Sequence, residues 1–153
     1  TFSAEVVLHF PTAHRLWCIM PVRNVSRFIL YTSTGQILFN IEPMMLAIAQ
    51  SLGVFGGGIE PGENPTEALK REVIEELSYH VQEPHFLLSQ TVKDGEDEHT
   101  KYVFIERYEG HPLQLGEGQA MGWFSPDETH ELKMINHDRA IVERMRQFLK
   151  NID

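Results

Sequence analysis

Three glutamates in one short segment have the spacing of a metal site. Glu72, Glu75 and Glu76 are related as i, i+3 and i+4, so at about 100° per residue their side chains share one face of a helix. Arg71 is able to pair with Glu67 and Glu75 at i, i+4 spacing, but one arginine does not neutralise the whole group. Hard divalent cations such as Mg²⁺ prefer carboxylate, carbonyl and water oxygens. A solvated acidic helix face is the competing interpretation.

The residues before the glutamates specify where this helix begins. Asn64 has the type of an N-cap, Pro65 suits the first helical position, and Glu67 follows the cap by three residues, as in a capping box. Upstream, the glycines at 56–58 and the turn at 60–62 allow the backbone to approach a ligand closely. Apolar residues on another face of this helix are expected to pack on a core; they are Leu69, Val73, Ile74 and Leu77.

Residues 57–79 resemble the signature of the Nudix hydrolases, Gx5Ex7REUxEExGU, where U is a bulky apolar residue. The matching residues are Gly57, Glu63, Arg71, Glu72, Val73, Glu75 and Glu76. Two residues depart from it, because Ser78 stands in place of the glycine and Tyr79 in place of an aliphatic residue. The glycine is expected to end the helix in a left-handed conformation, which serine adopts at a cost of about 1 kcal/mol. The two departures therefore concern the geometry of the helix exit and leave the set of ligands intact.

The resemblance implies an α+β fold, a Nudix-type αβα sandwich with a mixed β-sheet and the signature helix packed on it. A single domain over residues 1–153 is expected. The resemblance also implies hydrolysis of a diphosphate linkage in a nucleoside derivative, with Mg²⁺ as cofactor and Mn²⁺ as its substitute. The metal ligands are then the backbone of Gly56 and the carboxylates of Glu72, Glu75 and Glu76. Glu75, Glu76 and Arg71 belong to the catalytic machinery, and Arg71 is expected to orient the glutamates.

A second run of residues resembles the MutT branch of the family, the 8-oxo-dGTP pyrophosphohydrolases. Residues 106–112 read ERYEGHP and are followed by Glu117, Gly118 and Gln119, then by Trp123. By this resemblance Glu117 is a further metal ligand or the catalytic base; an acidic loop residue flanked by glycines is the alternative. Asn136 lies near the position of an asparagine that reads the oxidised purine in that branch, and it equally suits the N-cap of a C-terminal helix.

The resemblance to MutT weakens at the strand before the signature. That branch has arginines there, whereas residues 36–42 of this chain read QILFNIE. Arg23 and Arg27 are the substitute candidates for substrate binding, with simple solvation as the alternative. The expected substrate is a nucleoside triphosphate, including an oxidised one, cleaved to monophosphate and pyrophosphate. ADP-ribose, a sugar nucleotide or another nucleoside diphosphate derivative is the alternative, and a Nudix-fold ligand sensor is the alternative outside enzymes.

Composition is consistent with a globular enzyme for a small nucleotide. The chain has 153 residues, 42% hydrophobic and 23% charged, with a formal net charge of −9. This charge argues against general binding to nucleic acid, whose phosphates it would repel. The only cysteine, Cys18, fits a reducing compartment, and no export leader or long apolar run is evident. We expect a cytoplasmic protein that binds no membrane, and a homodimer is compatible with the sequence.

Hydrophobic periodicity predicts the elements that position these residues. Residues 27–31 and 36–41 read as a hairpin, and an acidic loop at 94–99 separates two later strands. Apolar residues from Ile141 to Ile152 recur at helical spacing and predict a C-terminal helix. The segment 43–51 reads as a short helix or an apolar loop, and residues 1–20 match no motif, with a candidate edge strand at 6–8. The remaining predicted strands are 86–92, 101–108 and 122–124.

Overall fold

The computed structural model describes residues 23–43, 50–116 and 119–152. Within these ranges eight strands form one mixed sheet, and one helix packs on each of its faces. The helices are α1 (Pro65–Leu77) and α2 (Asn136–Lys150), and a short 3₁₀ segment covers Glu128–Glu131. The strands are β1 (Val25–Tyr31), β2 (Ile37–Pro43), β3 (Gln50–Gly53), β4 (Phe55–Gly58), β5 (His85–Asp94), β6 (Asp97–Arg107), β7 (Ala120–Phe124) and β8 (Lys133–Met134).

The strand β1 lies at the centre of the sheet. The main order is β5-β6-β1-β2-β3-β8, with β4 also paired to β1 and β7 to β2. The pairs β1–β6 and β3–β8 are parallel, and the other pairs are antiparallel. In this register Arg27 is the partner of Gly56 on β4 and of Val103 on β6. The glycine-rich strand is thereby fixed beside the middle of the sheet.

Alternation along the strands divides the core between the two faces. On one face Phe28 and Leu30 of β1 pack with Leu69, Val73 and Leu77 of α1. The neighbouring β1 residues Ile29 and Tyr31 point to the other face. They pack there with Ile141, Val142 and Met145 of α2. The structure thus confirms the α+β class and the layered arrangement of helix, mixed sheet and helix.

The prediction of an acidic loop at 94–99 is wrong. The strands β5 and β6 run to the tip of a hairpin, where Asp94 pairs with Asp97 and only two residues form the turn. Gly95 has φ of 65°, a left-handed conformation that glycine adopts without steric cost and that lets the chain reverse at once. The polar composition of this segment reflects an exposed hairpin end instead of a loop.

Other boundaries differ by smaller amounts. The helix α2 ends at Lys150, so Ile152 lies beyond it, and Ile135 occupies the N-cap position that was considered for Asn136. The strands β3, β4 and β8 were not predicted, and β2 and β3 take up the two ends of the segment 43–51. Residues 44–49 and the candidate strand at 6–8 lie outside the described residues. Among the helices described, none is long and apolar enough to cross a bilayer.

Candidate active site

The start of α1 is capped as its sequence predicts. The Asn64 side chain accepts a hydrogen bond from the Glu67 N–H at 2.8 Å, and the Glu67 carboxylate accepts one from the Asn64 N–H at 2.9 Å. Pro65 occupies the first turn, where its missing N–H costs nothing. This reciprocal cap fixes the residue at which α1 begins.

Arg71 binds the loop before α1 to the glutamate face. Its Nε and Nη2 atoms donate to the two carboxylate oxygens of Glu63 at 2.8 and 2.9 Å. Nη2 also donates to the Gly58 carbonyl oxygen at 2.9 Å, and Nη1 donates to Glu72 at 2.8 Å. The bond with Arg71 lowers the pKa of Glu63 to about 2. The rigid guanidinium fork is suited to this double contact, which the point charge of lysine does not reproduce.

The glycines of β4 allow the helix to approach the strand. A Cβ atom on Gly57 would fall 2.4 Å from the carboxyl carbon of Glu72, and one on Gly56 would fall 2.0 Å from the Ser26 carbonyl oxygen. Gly56 also has φ of 130°, which L side chains rarely adopt. Any larger residue at position 57 would therefore displace the Glu72 carboxylate from the strand.

Glu76 carries the most perturbed carboxylate of this face. Its Oε1 accepts a hydrogen bond from the Gly56 N–H at 2.8 Å. The pKa of Glu76 is raised to about 7, chiefly by burial. The charges of Glu72 and Glu75 contribute to the rise, and the Gly56 hydrogen bond and Arg27 oppose it. A carboxylate held at this pKa lacks a compensating positive charge.

The residues present fit a hard divalent cation in their chemistry. Glu72, Glu75 and Glu76 supply only oxygen donors. Because Gly57 has no Cβ atom, there is room for the Glu72 carboxylate beside β4. The negative charge of the three glutamates exceeds what Arg71 neutralises. In the described part of the chain, no group of three or more His, Cys, Asp or Glu side chains is gathered as a closed metal site. Glu72 accepts from Arg71 and Glu76 from the Gly56 N–H, each through its Oε1, so the second oxygen of each carboxylate is the donor that a cation would use.

The two arginines predicted to bind substrate lie near the two ends of β4. The Arg23 guanidinium is exposed, and it lies 3.6 Å from the position of a Cβ atom on Gly58. Arg27 lines a cavity near β3, and its charge lowers the pKa of both Glu76 and Asp138. Both arginines are thus placed beside the glycine-rich strand.

The cavity next to Arg27 has a volume of about 190 Å³ and holds a buried ion pair. Lys101 of β6 and Asp138 of α2 line it, with Nζ and Oδ1 3.5 Å apart and side chains 5% and 7% exposed. Burial raises the pKa of Asp138 and lowers that of Lys101, because desolvation of each group outweighs their mutual attraction. Gln90 is the cross-strand neighbour of Lys101, and its buried Oε1 has no partner among the described residues.

The sequence did not predict this pair. Asn136, the predicted reader of the base, is exposed and does not line the cavity. Two residues further along α2, Asp138 takes the inward position, and its apolar neighbours Ile141 and Val142 were the available signal for that face. Glu42, which also lines the cavity, lies on the strand that lacks the expected arginines. Glu117 lies outside the described residues.

The exit of α1 shows how the two departures from the signature are accommodated. Ser78 adopts φ of 51° and ψ of 32°, the left-handed conformation predicted for a glycine at this position. The following residue, Tyr79, is buried against Phe28 in the core under α1. Its hydroxyl donates to the buried carboxylate of Glu106.

Comparison with known sequences gives one family. The sequence model of the NUDIX domain matches residues 20–145 of this chain. The CTP pyrophosphohydrolase of Escherichia coli strain K12 is 30% identical over 110 residues, which cover 71% of this chain and 81% of that protein.

Comparison with solved structures gives the same fold. The Escherichia coli ORF135 protein, solved in solution, superposes with a TM-score of 0.71 at 24% identity, over 84% of this chain and 91% of that one. A MutT protein of Bacillus halodurans superposes with a TM-score of 0.63 at 26% identity, over 80% of each chain. A MutT protein of Methanosarcina mazei gives 0.68 at 18% identity, over 87% of this chain and 99% of that one.

Proposed function

This chain belongs to the NUDIX family and is a Nudix hydrolase, and from that premise we propose that it hydrolyses a nucleoside triphosphate to monophosphate and pyrophosphate. One observation carries this proposal. Arg27 adjoins both the glutamate face of α1 and the cavity of the Lys101–Asp138 pair. It lines that cavity and is the strand partner of Gly56, whose N–H donates to Glu76. A nucleotide with its phosphates at the glutamates and its base in the cavity spans these two parts.

The metal ligands we propose are the carboxylates of Glu72, Glu75 and Glu76 and the backbone of Gly56, with Glu117 as a further ligand. Mg²⁺, or Mn²⁺ in its place, neutralises phosphate charge and favours activation of water when it is bound at such a site. Arg71 keeps Glu63, Glu72 and the Gly58 carbonyl in one arrangement, so its role is to orient these groups.

Water attacks one phosphorus of the anhydride, and the bond between the monophosphate and the pyrophosphate breaks. The proton of the attacking water passes to a carboxylate, for which Glu117 is the candidate and the signature glutamates are the alternative. Arg23 beside Gly58 and Arg27 beside Gly56 supply positive charge at the two ends of the glycine-rich strand. We assign to them the role of the arginines that the MutT branch carries on the strand before the signature.

The cavity favours a pyrimidine base. Its volume of about 190 Å³ is below the roughly 300–1,000 Å³ of sites that enclose a whole ligand, so it suits one part of a nucleotide. Asp138 accepts hydrogen bonds and Lys101 donates them, which matches the neighbouring amino donor and ring acceptor of cytosine. The similarity to a CTP pyrophosphohydrolase points to the same base. A cytidine triphosphate is therefore the first substrate to test.

A substrate panel with product analysis tests this function. We expect the protein with Mg²⁺ to convert CTP or dCTP to the monophosphate and pyrophosphate, with a higher kcat/KM than for UTP, GTP or 8-oxo-dGTP. ADP-ribose and a sugar nucleotide belong in the same panel, because they represent the alternative class of nucleoside diphosphate derivatives. Preferred cleavage of either would replace the proposed substrate class, and tight binding without turnover of any compound would indicate a ligand sensor.

A further inference from the structure

The exit of α1 is tied to the sheet through a buried carboxylate outside the signature. Glu106 of β6 is 4% exposed, and its Oε2 accepts the hydrogen bond of the Tyr79 hydroxyl. Its Oε1 accepts hydrogen bonds from the backbone N–H groups of Gln82 and Glu83, at 2.9 and 2.5 Å. Three donors from residues 79–83 thus converge on one side chain of a central strand pair.

Tyr79 connects this carboxylate to the core under α1. Its ring centroid lies 6.1 Å from that of Phe28, 6.5 Å from that of Tyr108 and 6.3 Å from that of His111. Burial raises the pKa of Tyr79, and Glu106 raises it further, so the hydroxyl remains protonated and remains the donor. A hydrogen bond to an ionised carboxylate is roughly twice as strong as one between neutral groups.

The last turn of α1 carries the carboxylate that this arrangement affects most directly. Glu76 precedes Ser78 by two residues, and its Oε1 is held by the Gly56 N–H at 2.8 Å. Ser78 is the only non-glycine residue with positive φ in the described ranges, and a side chain in this conformation is strained. A strained residue at the end of a helix favours fraying of the last turn unless neighbouring contacts hold it.

We propose that Tyr79 and Glu106 are positioning residues, which hold the strained exit of α1 so that Glu76 stays against Gly56. The two departures from the family signature then act together, because the hydrogen bond of the Tyr79 hydroxyl compensates for the strain at Ser78, where the signature has glycine. The proposal rests on the proposed function only where it assigns Glu76 to the catalytic machinery.

The variant Tyr79→Phe removes the hydroxyl and keeps the ring in the core. We expect kcat to fall about tenfold and the Mg²⁺ concentration for half-maximal rate to rise about tenfold, within the 10 to 100-fold range of changes beside metal ligands. KM for the nucleotide should change by less than about twofold, because neither Tyr79 nor Glu106 lines the cavity proposed for the base. Glu106→Gln should shift the same quantities in the same direction.

Two further variants separate positioning from general stability. Tyr108→Phe is the matched control, because it removes a hydroxyl of the same aromatic cluster that donates to the His111 carbonyl oxygen. It should leave kcat and the Mg²⁺ requirement within about twofold of wild type. Ser78→Gly relieves the strained conformation, so adding it to Tyr79→Phe should restore both quantities to within about twofold of Ser78→Gly alone.

Hydrogen exchange of the Gly56 amide gives a readout that needs no turnover. This amide donates to Glu76, so its exchange should accelerate about tenfold in Tyr79→Phe and recover with Ser78→Gly, while amides of the β5–β6 hairpin stay unchanged. A lowered Tm with unaltered kcat, Mg²⁺ requirement and Gly56 exchange would overturn the positioning role. A wild-type protein that hydrolyses no nucleotide, but whose Gly56 exchange responds as expected, would overturn the proposed function and support the positioning role.

Discussion

Glu76 and Glu75 differ in their surroundings, although we propose both as metal ligands. Glu75 is exposed at the end of α1, 3.6 Å from the Arg71 Nη1 atom, whereas Glu76 is half-buried against Gly56. We expect Glu76→Gln or Glu75→Gln to abolish most turnover with Mg²⁺ and to leave the metal-free Tm unchanged or higher, because the change removes like-charge repulsion. In Glu76→Gln the new side-chain amide oxygen still accepts from the Gly56 N–H. Steady-state rates with Mg²⁺ and thermal unfolding in a chelator measure these effects, and Glu143→Gln on α2 is the control. A near wild-type rate in Glu75→Gln or Glu76→Gln would contradict the proposed metal ligands.

The raised pKa of Glu76 has a consequence for stability. Its pKa is about 7 in the fold and about 4.3 in a model peptide, so between these values the folded state binds more protons than the unfolded state. The free energy of unfolding therefore decreases as pH rises through this window and levels off above pH 7. Asp138, whose pKa is also raised, contributes with the same sign.

Urea unfolding of the metal-free protein at several pH values measures this effect. Subtracting the curve of Glu76→Gln isolates the contribution of Glu76, because Asp138 is present in both proteins. We expect the difference between the two proteins to change between about pH 4.3 and 7. Parallel curves across that window would show that the surroundings of Glu76 do not disfavour its ionised form.

Arg71 should act through the groups that it holds. Arg71→Lys loses the double contact with Glu63 and the bonds to Gly58 and Glu72, and lysine cannot restore this geometry. We expect Mn²⁺ affinity to fall about 10 to 100-fold, measured by titration without nucleotide. Unchanged affinity would show that Arg71 has another role, such as contact with substrate.

The main partner of Arg71 was not predicted by helical spacing. Helical spacing suggested Glu67 and Glu75, but Glu67 is used in the N-terminal cap and the main partner is Glu63, eight residues before Arg71. The rule for i and i+4 pairs describes contacts along a helix. This rule does not predict a contact with a carboxylate that lies in the loop before the helix, as Glu63 does.

At the scale of the element, α1 depends on its capping box. Asn64→Ala removes the acceptor for the Glu67 N–H and should lower the free energy of unfolding by about 1 kcal/mol, within the usual range for such caps. The Mg²⁺ requirement should stay within about twofold, because the glutamates lie in later turns. Denaturant unfolding and a Mg²⁺ titration check both statements. A large change in metal requirement with normal stability would mean that the cap contributes to the site itself.

Sequence patterns predicted the long elements and missed the short ones. The boundaries of α1 were fixed by Asn64 and the left-handed residue at its end, and α2 by its apolar stripe. The strands β3, β4 and β8 have four, four and two residues, too few for alternation to be recognised, and three glycines of β4 carry no side-chain pattern. Their pairing with β1, β2 and β3 depends on the whole sheet.

At the scale of the molecule, the cavity proposed for the base forms only when distant segments meet. Arg27 comes from β1, Lys101 from β6 and Asp138 from α2, and no local pattern relates them. The glutamate face was predictable because one helix carries it. The cavity was not predictable, because which polar residue of α2 points inward is decided by the packing of Ile141, Val142 and Met145 on the sheet.

The cavity leads to a prediction about base preference. Asp138→Asn keeps the size of the side chain but replaces one acceptor oxygen by a donor amide, which favours the carbonyl of uracil over the amino group of cytosine. We expect the ratio of kcat/KM for CTP to that for UTP to fall about tenfold, within the roughly 1–3 kcal/mol of discrimination that a good contact to a base supplies. The ratio is the decisive quantity because general damage, including any from leaving Lys101 without its ion-pair partner, lowers both rates together. Asn136→Ala, on the exposed side of the same helix, is the control and should leave the ratio unchanged. A ratio that stays constant in Asp138→Asn and falls in Asn136→Ala would move base recognition from the cavity to the exposed start of α2.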